Sequence, residues 1–252
     1  MPSIAITAST ICIVALIAAL VNFRFLMYPL IPTMNPVAHA RRLTLRGSTL
    51  FISDLHLKAN EPFDHAKDLR NFIVTNNVSN LVIDGDFFDS PRDAEGILGT
   101  SWQEGALNAL GLENLSVDLF WVLGSPVHDP VGFAEKQTDA EALEVLGRCA
   151  LIDCGRLEVL AYHGHDMSHI GAFGHAWDRF ASGLSLERLW KRLANVDKTV
   201  WVIFGHTHIP GVDMRSRVAN CGGWQKVPFV RTAKTGVLVS DRQTVPELVR
   251  IA

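Results

Sequence analysis

Five short stretches of this chain bring imidazole and carboxylate close together. "SDLH" supplies Asp54 and His56, "DGDFFD" Asp86 and Asp89, and "SPVHD" His128 and Asp129. "HGHD" supplies His163, His165 and Asp166, and "GHTH" supplies His206 and His208. A lone Asp or His after a strand is a common cap or turn former. Five such clusters, each at the end of an apolar run, make a ligand set. Imidazole with carboxylate and without thiolate suits borderline divalent ions, manganese first, with iron, zinc and cobalt as alternatives. The collection is too large for one tetrahedral zinc, which takes three or four ligands. It fits two cations about 3.5–4 Å apart sharing a carboxylate, an arrangement that clamps the attacking and leaving oxygens of a phosphoryl transfer. Asp86, between Gly85 and two aromatic residues, is the candidate bridge.

The elements that must position these groups alternate between strand and helix. Residues 48–53, 80–84, 118–124, 156–164 and 198–205 read as strands, apolar enough to be covered on both faces. Helices are predicted over 63–76, over a glycine-interrupted 94–111, and over 138–147, where a threonine cap precedes "DAEALEVLG". Residues 235–251 form a closing hairpin. This is an α/β layered domain, and in such sheets chemistry gathers just past the carboxyl ends of strands.

"DLH", "GDFFD", "HGH" and "GHTH", in this order and at these intervals, resemble the calcineurin-like metallophosphoesterases. "SDLHL", "GDFFD" and "NCGGW" at 220–224 look most like the UDP-2,3-diacylglucosamine diphosphatases among them. The resemblance covers nearly all of 48–240. It implies a four-layer α/β/β/α sandwich with a helical cap insert, and hydrolysis of a pyrophosphate or phosphodiester bond. It further implies one ion held by Asp54, His56, Asp86 and His208, and a second held by Asp86, His163 and His206. Asp89 in this pattern orients a ligand. The family usually has Gly-Asn-His or Gly-Asn-Arg after its third strand, with the asparagine oxygen on the second ion. This chain has "GSPVHD", so Ser125 stands at the asparagine position and His128 arrives two residues late. Two readings of His128 stay open: an acid for the leaving group, with Asp129 bonding its other ring nitrogen, or a helix cap. His165 is either a pocket residue or a surface one.

With 252 residues, a formal charge of −3 and 48% apolar residues, the chain can bury a full-sized core and shows no global basic face for nucleic acid. Its four cysteines are scattered and read as reduced thiols. Residues 4–21 contain no charged side chain, and all nearby arginines follow rather than precede them. This predicts a single-pass membrane anchor over 1–28, a proline-stiffened linker over 29–47, and a phosphoesterase domain over 48–252 facing the cytoplasm. A cleaved signal peptide is the competing reading, without the usual basic start. The insert, 166–195, carries helix-spaced apolar residues that are either the inside of a helical pair or a cap receiving a lipid chain. The expected partner is thus a phosphate-containing small molecule or a lipid-linked substrate at a bilayer. A soluble phosphodiesterase and a non-catalytic scaffold of the same fold are the alternatives.

Overall fold

The computed structural model describes residues 36–99, 101–130, 143–167, 174–177, 181, 183–225 and 232–252. Among them, twelve strands form two mixed six-stranded sheets. The first sheet has the spatial order β12 (Glu247–Arg250), β11 (Thr235–Ser240), β2 (Ser48–Ile52), β3 (Val78–Asp84), β4 (Asp118–Val122) and β5 (Leu143–Gly147). The second runs β1 (Arg41–Thr44), β6 (Ala150–Asp153), β7 (Glu158–Ala161), β8 (Trp201–Phe204), β10 (Val218–Asn220) and β9 (Gly211–Asp213). A short helix, α1 (Pro36–His39), leads into β1.

The period-2 alternation of the strands explains why the sheets stack. In β2, Leu50 and Ile52 face one side and Phe51 the other, and all three are fully buried. Leu50, Ile52, Leu81 and Ile83 pack on α2 (Ala66–Thr75), α3 (Pro91–Leu98) and α4 (Trp102–Leu110) through Leu69, Ile73, Leu98, Ala106 and Leu110. Phe51, Val82, Phe120 and Val122 meet Ile152, Val159, Trp201 and Ile203 of the second sheet. The far side of that sheet, with Leu160, Val202, Phe204 and Val218, is covered by Leu186 and Trp190 of α5 (Ser185–Leu193). The layers are therefore helix, sheet, sheet, helix.

Two expectations need correction. Residues 143–147, the latter part of the expected helix over 138–147, form edge strand β5 paired with β4. Leu143, Val145 and Leu146 are buried there, so a sheet edge needing cover overrides helical composition. The expected helix over 94–111 is two helices, parted near Gly99, whose φ is 53°. The closing hairpin is present as β11 and β12. The anchor expected over 1–28 lies outside the described residues; among the described residues no helix is long and apolar enough to cross a membrane.

One end of the sandwich collects the chemistry. β2, β3 and β4 are parallel in one sheet, β7 and β8 in the other, and the motif loops follow their carboxyl ends. The chain enters the second sheet at this same end, since Arg41 pairs with Ala150, Ala150 with Ala161, and Ala161 with Ile203.

Candidate metal centre

Each motif residue sits where its strand stops and the backbone must turn at once. Asp54, His56, Asp86, His206 and His208 all have left-handed backbones, with φ between 47° and 66°. Such conformations cost a residue with a Cβ about 1–3 kcal/mol and persist only where the surroundings enforce them. Five of the six expected ligands are held in this way, which marks the turns as built for side-chain direction rather than for stability. Close approach is enforced too. A Cβ on Gly124 would collide with the Asp86 carboxylate, and one on Gly223 with the His208 ring.

The loops converge in two groups. Asp54, His56 and His208 offer ligand atoms within 4.8 Å of one another, and so do Asp86, His163 and His206. Each group draws on both sheets. His206 and His208, one residue apart, go to different groups. Asp54 Oδ1 lies between the groups, 3.3 Å from His208 Nε2 and 3.9 Å from His163 Nε2, while Asp86 Oδ2 is 3.2 Å from His163 Nε2. Asp54 Oδ2 accepts the Ser53 hydroxyl and, at 3.0 Å, the His206 N–H. Asp86 Oδ1 accepts the Ser125 N–H at 2.8 Å.

Electrostatics follow from burial and crowding. Burial alone would lower the His163 pKa, but Asp86 and Asp54 push it up to about 10. Burial would raise Asp86, yet His163, His128 and His56 hold it well below the usual carboxylate range. Burial takes His56 down to about 4, against the pull of Asp54 and Asp86. Asp84, directly before Gly85, is pushed up to about 8 by burial, and its backbone carbonyl accepts from His163 Nδ1 at 2.7 Å.

The remaining candidates fall around this centre. His128 stands edge-on to His56, ring centroids 4.4 Å apart, with Nδ1 donating to the Asp89 carbonyl at 2.8 Å. The Asp89 carboxylate lies 3.8 Å from His56 Nδ1, and the three side chains form a further compact group. Asp129 does not bond His128, contrary to expectation. It is buried, and accepts the N–H groups of Gly124 at 2.6 Å, Phe87 at 3.0 Å and Trp121 Nε1 at 3.3 Å. A buried carboxyl beside three fixed donors is recruited by them, which ties the loop after β3 to the loop after β4. His165 is buried rather than on the surface, with Nε2 accepting from Arg148 at 3.1 Å and its ring 5.9 Å from His163; burial holds its pKa at about 3.

The profile of the Calcineurin-like phosphoesterase family matches residues 47–222, which is more than half of the chain. The chain belongs to the calcineurin-like phosphoesterases. It is thus a metal-dependent phosphoesterase of a family that works through a dinuclear metal site. No curated protein matches it. Among solved structures it is similar to a conserved uncharacterized protein, a predicted phosphoesterase, from Streptococcus pneumoniae TIGR4, at 12% identity and TM-score 0.39, covering 81% of this chain and 98% of that one. A phosphoesterase from E. coli aligns at 15% identity and TM-score 0.43, covering 81% of this chain and 100% of that one. An archaeal phosphodiesterase aligns at 14% and 0.47, covering 80% and 98%. The family assignment rests on the sequence profile and not on these three.

The residues present fit a calcineurin-like metal pair. Asp54 Oδ1 and His56 Nδ1 are buried and make no hydrogen bond within the protein, as atoms that ligate a cation would be. The donor set is mixed nitrogen and oxygen, suited to divalent first-row metals. Ser125 reaches the centre through its backbone N–H, which Asp86 Oδ1 accepts. Sequence reasoning missed Asp84, Ser53 and the Glu187–Thr207–Asn220 cluster. Asp84 and Ser53 directly precede motif residues and could have been found by asking what supports each ligand. Glu187 is remote in sequence and gave no signal.

Proposed function

We propose that this phosphoesterase cleaves a pyrophosphate or phosphodiester bond of a nucleotide-linked lipid presented at a bilayer. The observation that carries the hydrolytic part is the pair of three-residue groups drawn from both sheets, in which Asp54 Oδ1 and His56 Nδ1 are buried without a hydrogen bond. Asp54, His56 and His208 would hold one divalent cation, and Asp86, His163 and His206 the other, with manganese the first choice. Two such cations supply charge neutralisation at the phosphoryl oxygens and a water of lowered pKa. The protein's own part is to orient and to move protons. Asp86, fixed by the Ser125 N–H, faces His163 with its second oxygen. His128 in its doubly protonated form, anchored through Nδ1 to the Asp89 carbonyl, donates its Nε2 proton to the departing oxygen.

Support for the bilayer comes from the apolar stretch 4–21 and from register. Arg41 shares a row with Ala161 and Ile203, just before His163 and His206. The dozen residues 29–40, between the expected anchor and β1, span at most about 40 Å, so a membrane-held amino terminus would keep the centre near its substrate. Leu186 and Trp190 are buried against the second sheet and Trp177 packs on the same cluster, which favours the tether over these residues as the source of lipid selectivity.

The test has two arms. Purified protein in manganese should hold two ions per chain and hydrolyse bis-(p-nitrophenyl)phosphate, and Asp86→Asn should lose both properties; a metal-poor, inactive protein would leave a scaffold. A nucleoside-diphosphate-linked lipid in vesicles should then be cleaved at least about tenfold faster by the full chain than by a chain starting at residue 29. Equal rates on vesicle-bound and soluble substrates would favour a soluble phosphodiester instead.

A further inference from the structure

Thr207, the residue between His206 and His208, is completely buried, and its hydroxyl points away from the ligand groups. It donates to Glu187 Oε1 at 2.8 Å. Glu187 lies in the first turn of α5, on the outer face of the second sheet, and is itself 0% exposed. The same oxygen accepts Asn220 Nδ2 at 2.9 Å. Asn220 Nδ2 also meets the Gly205 carbonyl at 2.7 Å, and Asn220 Oδ1 accepts the Gly222 N–H at 2.8 Å. The Gly222 carbonyl in turn takes the Ser53 hydroxyl, which also contacts Asp54 Oδ2. On its other side the Thr207 carbonyl accepts from His175 Nδ1 at 3.0 Å.

A buried carboxyl on a helix is costly unless it is matched by fixed donors. Here the donors come from the turn that holds one ligand of each group and from the strand end beside it. The turn is strained at both histidines, with φ of 66° and 58°, so something outside it must enforce its shape. We infer that Glu187 is a positioning residue for both metal sites: through Thr207 and Asn220 it locks the His206–Thr207–His208 turn and couples α5 to metal affinity. The inference rests on the dinuclear reading above and names the part of the chain that regulates it. A shift of α5 would reach both cations at once through a single oxygen.

Manganese and zinc affinities of the full chain, measured by chelator competition, test this together with melting of the metal-free protein. Thr207→Val, which removes only the hydroxyl, and Glu187→Leu should weaken binding about 10–100-fold, the usual cost of losing a ligand's orienting partner. Thr207→Ser and Glu187→Gln keep a donor and an acceptor, and should stay within about threefold of the parent chain. Unchanged affinity in Thr207→Val, with any loss confined to melting temperature, would overturn the assignment. Thr207→Val decides the matter even if Glu187→Leu does not fold. A parent chain that binds fewer than two ions would instead overturn the dinuclear reading, and this assignment with it.

Discussion

His163 Nδ1 donates to the backbone carbonyl of Asp84 at 2.7 Å. A carbonyl oxygen can only accept, so Nδ1 keeps its hydrogen and Nε2 is the nitrogen turned toward Asp86 and Asp54. Those carboxylates raise His163 to about 10 in the metal-free protein, so at neutral pH Nε2 carries a proton that a cation must displace. Apparent affinity for the His163 group should therefore rise with pH, by up to about tenfold per unit between about pH 7 and 9. Metal titrations across that range would show it, and a flat profile would contradict the ring's charge state.

Metal-free protein should respond to pH in the opposite sense. His163, raised to about 10, stabilises the fold fully below its unfolded pKa of 6.5 and loses that contribution as pH climbs toward 10. Asp84, raised to about 8, and Asp129, raised to about 7, also lose stability as pH rises through those values. His56 and His165, lowered to about 4 and 3, act in the opposite sense, but their gain is nearly complete once pH passes the unfolded value of 6.5. Melting temperature without metal should thus fall from pH 6.5 to 8, by about 2–4 °C per kcal/mol lost. Added manganese should remove most of the slope.

Strain at the ligand turns predicts a reversal of the usual substitution rank. His208 has φ 58°, so His208→Gly should leave the metal-free protein more stable than His208→Ala by about 1 kcal/mol. Both variants should lose metal from the Asp54–His56 group. Urea unfolding in chelator measures the first point.

Asp129 should prove structural. Asp129→Ala strands the buried N–H groups of Gly124, Phe87 and Trp121, at a cost on the order of 3 kcal/mol or more. Denaturant midpoints should fall accordingly, and residual activity should follow the folded fraction.

His128 separates by leaving group. His128→Gln should cost about 10²-fold or more in kcat on an alkyl phosphodiester, whose leaving oxygen needs a proton, and far less on a p-nitrophenyl ester. An equal loss on both would assign His128 to binding.

Much of this was legible in the residues themselves. The six ligand positions lie within five residues of apolar runs, and the near-continuous apolar runs of β2 and β3 announced strands covered on both faces. The edges were not legible. β1, β9 and β10 are three or four residues long, too short for a periodic signal, and β5 hides in helix-favouring composition. Asp129 was misread because its sequence neighbour, His128, is not its spatial partner. Glu187 and Thr207 are twenty residues apart, and only folding makes them adjacent.

Each three-residue ligand group mixes the two sheets: Asp54 and His56 with His208, and Asp86 with His163 and His206. Neither half of the sandwich therefore holds a complete set, and a fragment ending after β4 would inherit a binding pocket with one wall missing. Bound cations would serve as rivets through the seam between the layers, so that catalytic competence and cohesion of the two halves fail together.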